Sequence, residues 1–503
     1  MKKSVSLFLT LLMLLSCFGA LADDGFHTSY TYTYDYWEEV QESPDAYKVA
    51  NVVDSMTLGL DNLEGVRLMK PQSLFAIDDL LYVADTGNNR IIELKRNGIE
   101  FTVRRVIREM TGAAVNTFNQ PYDIFVDENG NIYVADFGNQ RVTMMDKDLN
   151  WVQDYTKPVD NTFDQSLNFL PKKITVDVAG RVYALCQNVN KGLVKYEADG
   201  TFSGFIGANK VTISTGEYIW KRYFQTKEQR AQSESFVPTE YENLCIDPDG
   251  FIYVTTTVFS EYDLKWDNAK PIRRLNSLGN DILIKNDRYP PIGDLYWVEQ
   301  SLDYGPSRFT DITVLKNDIY VALDRTRGRL FGYDSQGVLL WAFGTKGNVE
   351  GAFTGAISLE HMGYDLLVLD QLENSITLFQ TTEYGKTIYD AVETYLDGKY
   401  DESADLWRDV MKQNANYPLA FRGIGRAILR QNQYEEAMDY FRMAHDRENY
   451  GRAFKLYRKE WVEKNIWWIV LIAAVLLIVP LAVGRVKKLK WEVVAHEHSK
   501  VRK

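Results

Sequence analysis

The chain has 503 residues, 45% of them hydrophobic, and a net charge of −12 at pH 7. This length exceeds what one hydrophobic core usually serves, so we expect several domains. The acidic balance argues against nucleic-acid binding, because that function needs a basic face.

Residues 1–22 are predicted to form a signal peptide. Two lysines open the segment, an apolar core follows at residues 7–15, and alanines near its end fit a small-residue cleavage site. Cys17 leaves a lipoprotein signal open as the alternative. Either signal predicts that the chain is exported.

Residues 23–59 form an acidic, tyrosine-rich N-terminal segment. Threonine and tyrosine alternate near its start, which is typical of an edge strand, and a flexible lead-in is the other interpretation. We expect an ordered segment that lies on or near the domain that follows.

A long repeat dominates the next part of the chain. YVADTGNNR at residues 82–90 returns as YVADFGNQR at residues 133–141, and the proline-led strands before these copies start 50 residues apart, at Pro71 and Pro121. Glycine and asparagine separate the short apolar strands, because tight hairpin turns need positive φ. Each unit is therefore predicted to be a small antiparallel sheet, and the fixed period indicates a repeat architecture.

Four weaker copies, at residues 170–185, 242–256, 309–337 and 356–379, bring the number of units to six. The stretch 259–307 is poorly patterned, so the unit boundaries there stay open. The two early copies resemble NHL repeats. That resemblance, to the gluconolactonase-like superfamily, implies a mainly β protein with a six-bladed NHL-type β-propeller over residues 60–382.

A propeller gathers the starts of its inner strands around one axis, so equivalent positions form a ring. Aligning the copies two residues after Pro71 and Pro121 predicts a candidate ligand-binding ring of Ser73, Asp123, Lys173, Asn243, Asp311 and Ser358. Gluconolactonase-like propellers bind a divalent cation near the axis, and this resemblance implies Asp123, Asn243 and Asp311 as metal candidates, since hard cations prefer oxygen ligands. Lys173 argues against a cation and could pair with Asp123. The other interpretation is a solvated channel lining or a binding face, and we predict no cofactor.

Aspartates also end one strand in several units. Asp85 and Asp136 are each followed by asparagine and arginine at the same offsets, and Asp324 and Asp370 occupy similar places. A carboxylate at a strand end can accept the backbone N–H groups of the next turn. Because the position recurs, we expect a structural role.

Catalytic signals are missing from the sequence. The five histidines show no metal-ligand spacing ahead of the C-terminal tail, and there is no GxSxG, HExxH or phosphate-loop motif. Cys186 and Cys245 fall on strands of different units, where we expect small buried hydrophobic side chains, and a disulfide stays open. The sequence predicts no catalytic residue.

The periodicity becomes helical after the last unit. KYDESADLW at residues 399–407 returns as QYEEAMDYF at residues 433–441, an offset of 34 residues. The pair resembles tetratricopeptide repeats, with Gly425 at the interhelix glycine, although Ser403 stands where alanine is usual. We assign residues 384–462 to these helices and expect a further helix to cap them.

A single membrane-spanning helix is predicted at residues 466–484. The run 466–483 carries no charge and would extend about 27 Å, close to one hydrocarbon core. Basic residues crowd the tail 485–503, which predicts a cytoplasmic C terminus and an extracytoplasmic N-terminal part in the cell membrane.

These patterns predict a membrane-anchored, non-enzymatic binding or scaffold protein of a bacterial surface. The helices would hold a peptide or membrane-protein partner, a transporter component being one candidate that the resemblance suggests, and the propeller would bind a glycan or other small molecule. The alternative is a metal-dependent lactonase-type hydrolase that acts at the propeller axis.

Overall fold

A computed structural model describes residues 31–37, 39–63, 65–207, 241–259, 263–264, 269–285, 290–294 and 305–500, with side chains to residue 494. The predicted signal peptide and much of the poorly patterned stretch 259–307 lie outside the described residues. The chain divides into two compact units, residues 1–389 and residues 390–503.

The first unit is a six-bladed β-propeller, as the sequence predicts. Three strands precede the repeats: β1 (Tyr32–Tyr34), β2 (Val40–Glu42) and β3 (Tyr47–Val53). Blades one to three contain the strands β4 (Ser73–Ile77), β5 (Leu80–Asp85), β6 (Arg90–Asn97), β7 (Glu100–Ile107), β8 (Pro121–Val126), β9 (Ile132–Asp136), β10 (Arg141–Met145), β11 (Trp151–Tyr155), β12 (Pro171–Val176), β13 (Val182–Cys186), β14 (Leu193–Tyr196) and β15 (Phe202–Ile206).

Blades four to six contain the strands β16 (Tyr241–Ile246), β17 (Ile252–Thr256), β18 (Ile272–Leu275), β19 (Phe309–Val314), β20 (Tyr320–Asp324), β21 (Arg329–Tyr333), β22 (Leu339–Phe343), β23 (Ala356–Met362), β24 (Asp365–Asp370) and β25 (Ser375–Thr381). Each blade is antiparallel, and β4, β8, β12, β16, β19 and β23 are the innermost strands. Blade four has three strands among the described residues, and its third, β18, lies in the poorly patterned stretch.

The turn between the first two strands of a blade has a local cause. In blade two the Asp127 carboxylate accepts the backbone N–H groups of Asn129 and Asn131, both at 2.9 Å. Gly130 occupies the same turn at φ 83°, in the left-handed region that favours glycine. Asp177 and Asp247 form the equivalent turns in blades three and four.

The N-terminal segment is part of the sheets. β3 pairs with β25 as the outermost strand of blade six, with Val53 opposite Ile376. The hairpin of β1 and β2 extends blade five, since β1 pairs with β22. Residues 47–53 therefore belong to the propeller, although they precede the range 60–382 expected from the repeats. They close the ring by completing the last blade with a strand from the N-terminal part of the chain.

Hydrophobic clusters lie between neighbouring blades. Between blades six and one, Leu81 and Ile92 pack with Leu367 and Leu378, and all four side chains are fully buried. Similar clusters lie between blades one and two, two and three, three and four, and four and five. Each blade thus buries its apolar face against the neighbouring blade, because a single sheet cannot cover that face alone.

The remaining elements are helices. Their bounds are α1 (Leu60–Leu63), α2 (Glu383–Leu396), α3 (Tyr400–Gln413), α4 (Pro418–Arg430), α5 (Tyr434–Met443) and α6 (Arg447–Lys500). Pro418 starts α4, where its missing N–H costs nothing. The capping helix, expected to run on past the repeats, is continuous with the apolar run in α6.

Two glycines set the spacing of α4 against its neighbours. A Cβ on Gly423 would come within 2.4 Å of the Trp407 ring, and one on Gly425 within 2.8 Å of the Phe441 ring. Ser403, the departure from the repeat pattern, is buried and donates its hydroxyl to the Ala391 carbonyl at 2.8 Å. A hydroxyl is tolerated there because it is hydrogen-bonded.

One helix, α6, is long and apolar enough to cross a membrane among the described residues. Its uncharged run 466–483 is followed by Arg485, Lys487, Lys488 and Lys490. Large apolar side chains are exposed along this run, including Leu476 at 70% and Trp467 at 82%.

Candidate functional site

The predicted ring residues come together at the propeller axis. Ser73, Asp123, Lys173, Asn243 and Asp311 line an axial cavity of about 470 Å³. Ser358 stands at the equivalent place in β23 and accepts the backbone N–H of Leu74 at 3.2 Å. We call these six residues the axial ring.

Asp123 links three blades within the ring. Its Oδ1 accepts the Ser73 hydroxyl of blade one at 2.5 Å, and its Oδ2 accepts the Ile174 N–H of blade three at 2.8 Å. The Lys173 ammonium donates to the Ser73 hydroxyl at 2.9 Å and lies 3.7 Å from Asp123 Oδ1. The pairing of Lys173 with Asp123 that the sequence suggested is thus present.

Asp311 makes the matching contacts on the other side of the ring. Its Oδ1 accepts the Asn243 side-chain amide of blade four at 2.5 Å, and its Oδ2 accepts the Leu359 N–H of blade six at 2.7 Å. Asn243 uses its own carbonyl oxygen to accept the Leu244 N–H at 2.7 Å. The ring therefore ties blades one to three together, blades four to six together, and blade six to blade one through hydrogen bonds.

Burial dominates the electrostatics of the two ring carboxylates. Burial raises the pKa of Asp123, and the Lys173 ammonium and the hydrogen bonds oppose that rise. Burial raises the pKa of Asp311 to about 7, against the same opposing influence of Lys173. One ammonium thus compensates two carboxylates that water reaches poorly.

The ring does not fit a divalent cation. Both oxygens of Asp123 and of Asp311 already accept hydrogen bonds, and so does the Asn243 carbonyl oxygen. An ammonium shares the ring, and a cation would have to displace these donors to find free oxygens. No group of three or more histidine, cysteine, aspartate or glutamate side chains within the described part of the chain could hold a metal.

A second layer of side chains lies deeper along the channel, and sequence reasoning missed it. Side chains of a strand alternate between its faces, so residues two positions after the axial ring also face the axis. They are Phe75, Phe125, Thr175, Cys245, Thr313 and Glu360, and all six line the cavity. We call these six residues the middle layer. Strand alternation, applied to the aligned positions of the axial ring, would have located this layer from the sequence as well.

The middle layer has one apolar and one polar side. The rings of Phe75 and Phe125 lie 4.9 Å apart between their centroids. On the polar side, the Thr313 hydroxyl of blade five lies 3.0 Å from Glu360 Oε1 and 2.7 Å from His361 Nδ1, both of blade six. His361 also lines the cavity. Burial, with the carboxylates of Glu360 and Asp311, raises the pKa of the Cys245 thiol well above its usual value, which leaves a neutral thiol.

Cys186 and Cys245 are both free, which answers the open question of a disulfide between them. Cys186 is buried, as expected, whereas Cys245 is half-buried in the channel wall.

The strand-end aspartates have the structural role that their repetition indicates. Asp85 accepts the Met69 N–H at 2.8 Å and the guanidinium of the fully buried Arg90 at 2.6 Å. Asp136 repeats these contacts with Asn119 and Arg141. Asp324 and Asp370 accept backbone N–H groups of the turns that follow them.

Comparison with known proteins finds one repeat family in the chain and several similar solved structures. Residues 118–143 match the NHL repeat. No curated protein sequence matches the chain. A streptogramin B lyase structure is similar at 13% identity and a TM-score of 0.40, and covers 67% of this chain and 100% of its own. The virginiamycin B lyase of Staphylococcus aureus gives 10% identity, a TM-score of 0.37, and coverage of 67% and 100%.

A structure described as a proposed gluconolactonase is similar at 11% identity and a TM-score of 0.39, with coverage of 71% of this chain and 98% of its own. The sheet topology and the matched repeat define the class of protein as a six-bladed β-propeller with an NHL repeat. At these identities the likeness concerns the fold alone.

Proposed function

We propose that this protein is a membrane-anchored, extracytoplasmic binding and scaffold protein without enzymatic activity. The observation that carries the proposal is the engagement of the axial ring in blade-to-blade hydrogen bonds. Side chains that hold the fold in this way are not free to act as nucleophile, base or metal ligand. The channel is then a binding cavity rather than a reaction site.

The anchor in this proposal is the apolar run of α6. A run of 18 uncharged residues suits one hydrocarbon core, and the cluster of lysines and arginine after it suits the cytoplasmic side. The propeller and α2–α5 would then face outward.

The helices α3–α5 resemble a tetratricopeptide pair, and we assign partner binding to them. The 34-residue offset places Trp407 of α3 and Phe441 of α5 at equivalent positions, both against glycines of α4. Repeat helices of this kind present a groove that holds peptide segments. The partner would be a segment of another membrane protein.

Crosslinking and affinity purification of the full-length protein from its native membrane tests this proposal. We expect recovery of a specific integral membrane protein, and its loss with Ala437→Asp, which buries a charge at a fully buried helix position. Glu435→Gln, on the first turn of the same helix α5, is the matched control and should retain the partner. Retention by Ala437→Asp would contradict the assignment to the helices.

Assays of lactone hydrolysis and of melting temperature on the purified protein test the lactonase alternative. Our proposal expects no lactone hydrolysis with or without added Ca²⁺ or Zn²⁺, and no cation-dependent rise in melting temperature. Hydrolysis that disappears in the double variant Asp123→Ala, Asp311→Ala, with the fold retained, would establish the hydrolase.

A further inference from the structure

We infer that the middle layer of the axial channel binds a small organic cation with an ammonium group. The inference rests on the binding role proposed above and names the class of ligand. The middle layer contains Phe75, Phe125, Thr175, Cys245, Thr313 and Glu360, which all line one cavity of about 470 Å³. This volume lies within the usual range for small-molecule sites.

Charge selects a cation. The described lining of the cavity carries seven carboxylate side chains and one lysine. Two of these carboxylates, Asp177 and Asp247, pair with arginines outside the lining, which leaves five carboxylates to one lysine. That lysine, Lys173, belongs to the axial ring, where its ammonium contacts Ser73 and Asp123. Within the middle layer Glu360 is the single acidic residue, and no lysine or arginine lines the described cavity at that level. The nearest basic group is the His361 imidazole, whose Nδ1 lies 3.2 Å from Glu360 Oε1. A ligand ammonium would place a permanent positive charge beside Glu360.

The aromatic pair selects an organic cation over a metal ion. Phe75 and Phe125 are both half-buried, and their rings lie 4.9 Å apart on neighbouring blades. Phenyl faces attract alkylammonium groups through their quadrupole and also cover the carbon atoms of such a ligand. A bare divalent ion would gain nothing from these rings and would find too few free oxygens.

An unsatisfied hydroxyl points to a ligand independently of charge. Thr175 is 1% exposed, and its Oγ1 has no hydrogen-bond partner within the described structure. It stands two residues after Lys173 on β12 and so shares the channel-facing side of that strand. Buried hydroxyls are normally hydrogen-bonded, so a polar group of a ligand would complete this one.

The test measures choline binding to the full-length protein in detergent by isothermal titration calorimetry. We expect choline to bind at least about tenfold more tightly than 3,3-dimethylbutan-1-ol, its neutral isostere. Glu360→Gln keeps the size and the acceptor for Thr313 while it removes the charge, and should weaken choline binding about tenfold. Phe75→Leu should weaken it to a similar extent, and the surface variant Glu100→Gln is the matched control with unchanged affinity.

Three outcomes would overturn the inference. They are no binding of choline, methylammonium or benzylamine, equal binding of choline and the neutral isostere, and unchanged choline affinity in both Glu360→Gln and Phe75→Leu. If Glu360→Gln fails to fold, Phe75→Leu and the isostere still decide the matter. Loss of ammonium binding with partner capture intact would leave the scaffold role standing, so the two failures are distinguishable.

Discussion

Lys173→Met is the sharpest test of the electrostatics of the axial ring. The Lys173 ammonium lies 3.7 Å from Asp123 Oδ1, and both groups are largely buried. Removing one partner of a buried ion pair costs about 3–5 kcal/mol, because the other charge is left uncompensated. We therefore expect the free energy of unfolding to fall by about that amount at pH 8, above the folded pKa of Asp311.

The loss should depend on pH, with a sign that follows from the two carboxylates. Burial raises the pKa of Asp123 and of Asp311, the latter to about 7, so the folded state holds these protons more tightly than the unfolded chain. The stability that they contribute is present below the unfolded pKa near 4 and is lost as pH rises through the folded pKa. At pH 4.5 Asp311 is largely neutral, so Lys173→Met should cost less than at pH 8, because one of the two carboxylates that it leaves uncompensated is no longer charged.

The assay is urea unfolding of the full-length protein in detergent, followed by tryptophan fluorescence at pH 4.5 and pH 8. Lys172→Met is the matched control, because it removes the neighbouring ammonium on the same strand. We expect this control to change the unfolding free energy by under about 1 kcal/mol at both pH values. An equal loss for Lys173→Met at both pH values, or a loss matched by the control, would refute the reasoning.

Two further predictions concern packing. Gly423→Ala should destabilise the helices by about 1–3 kcal/mol because its Cβ would meet the rigid Trp407 ring at 2.4 Å, whereas Gly451→Ala, with open space around it, should be neutral or slightly stabilising. Hydrogen exchange of α3 and α4 peptides measures this, and equal protection in both variants would contradict it. Tyr47→Ala should lower the propeller's unfolding free energy by about 3–5 kcal/mol, since the side chain is 4% exposed. Met56→Ala, at a site 74% exposed, should leave the unfolding free energy unchanged, and a similar loss in both would refute a specific role of Tyr47.

The sequence was sufficient for those features that repeat. The spacing of Pro71 and Pro121 located the axial ring, because each inner strand starts at the same place in its unit. The recurrence of Asp85 and Asp136 indicated a structural carboxylate, and their contacts agree. Period and position carry this information because they are local properties of the chain.

Other features depend on neighbours that the sequence does not identify. The oxygens of Asp123 and Asp311 bond to backbone of adjacent blades about 50 residues away, so their saturation is visible only after the blades close. The pairing of β3 with β25 joins segments more than 300 residues apart, and no local pattern in residues 47–53 specifies it. The middle layer is a different case. Strand alternation could have predicted its six positions, and only the division into an apolar side and a polar side required the structure.

The pairing of β3 with β25 has a consequence for the order of folding. β3 is made first, yet its partner residues 376–381 come at the far end of the propeller sequence. Until residues 376–381 have been synthesised, β3 has no partner strand, and the propeller cannot close. Contacts of such long range slow folding, and an open strand edge invites pairing with other chains. The propeller can therefore close only after its final strand has been synthesised. A product truncated before residue 376 would keep its early blades but remain open, prone to aggregation and easily degraded.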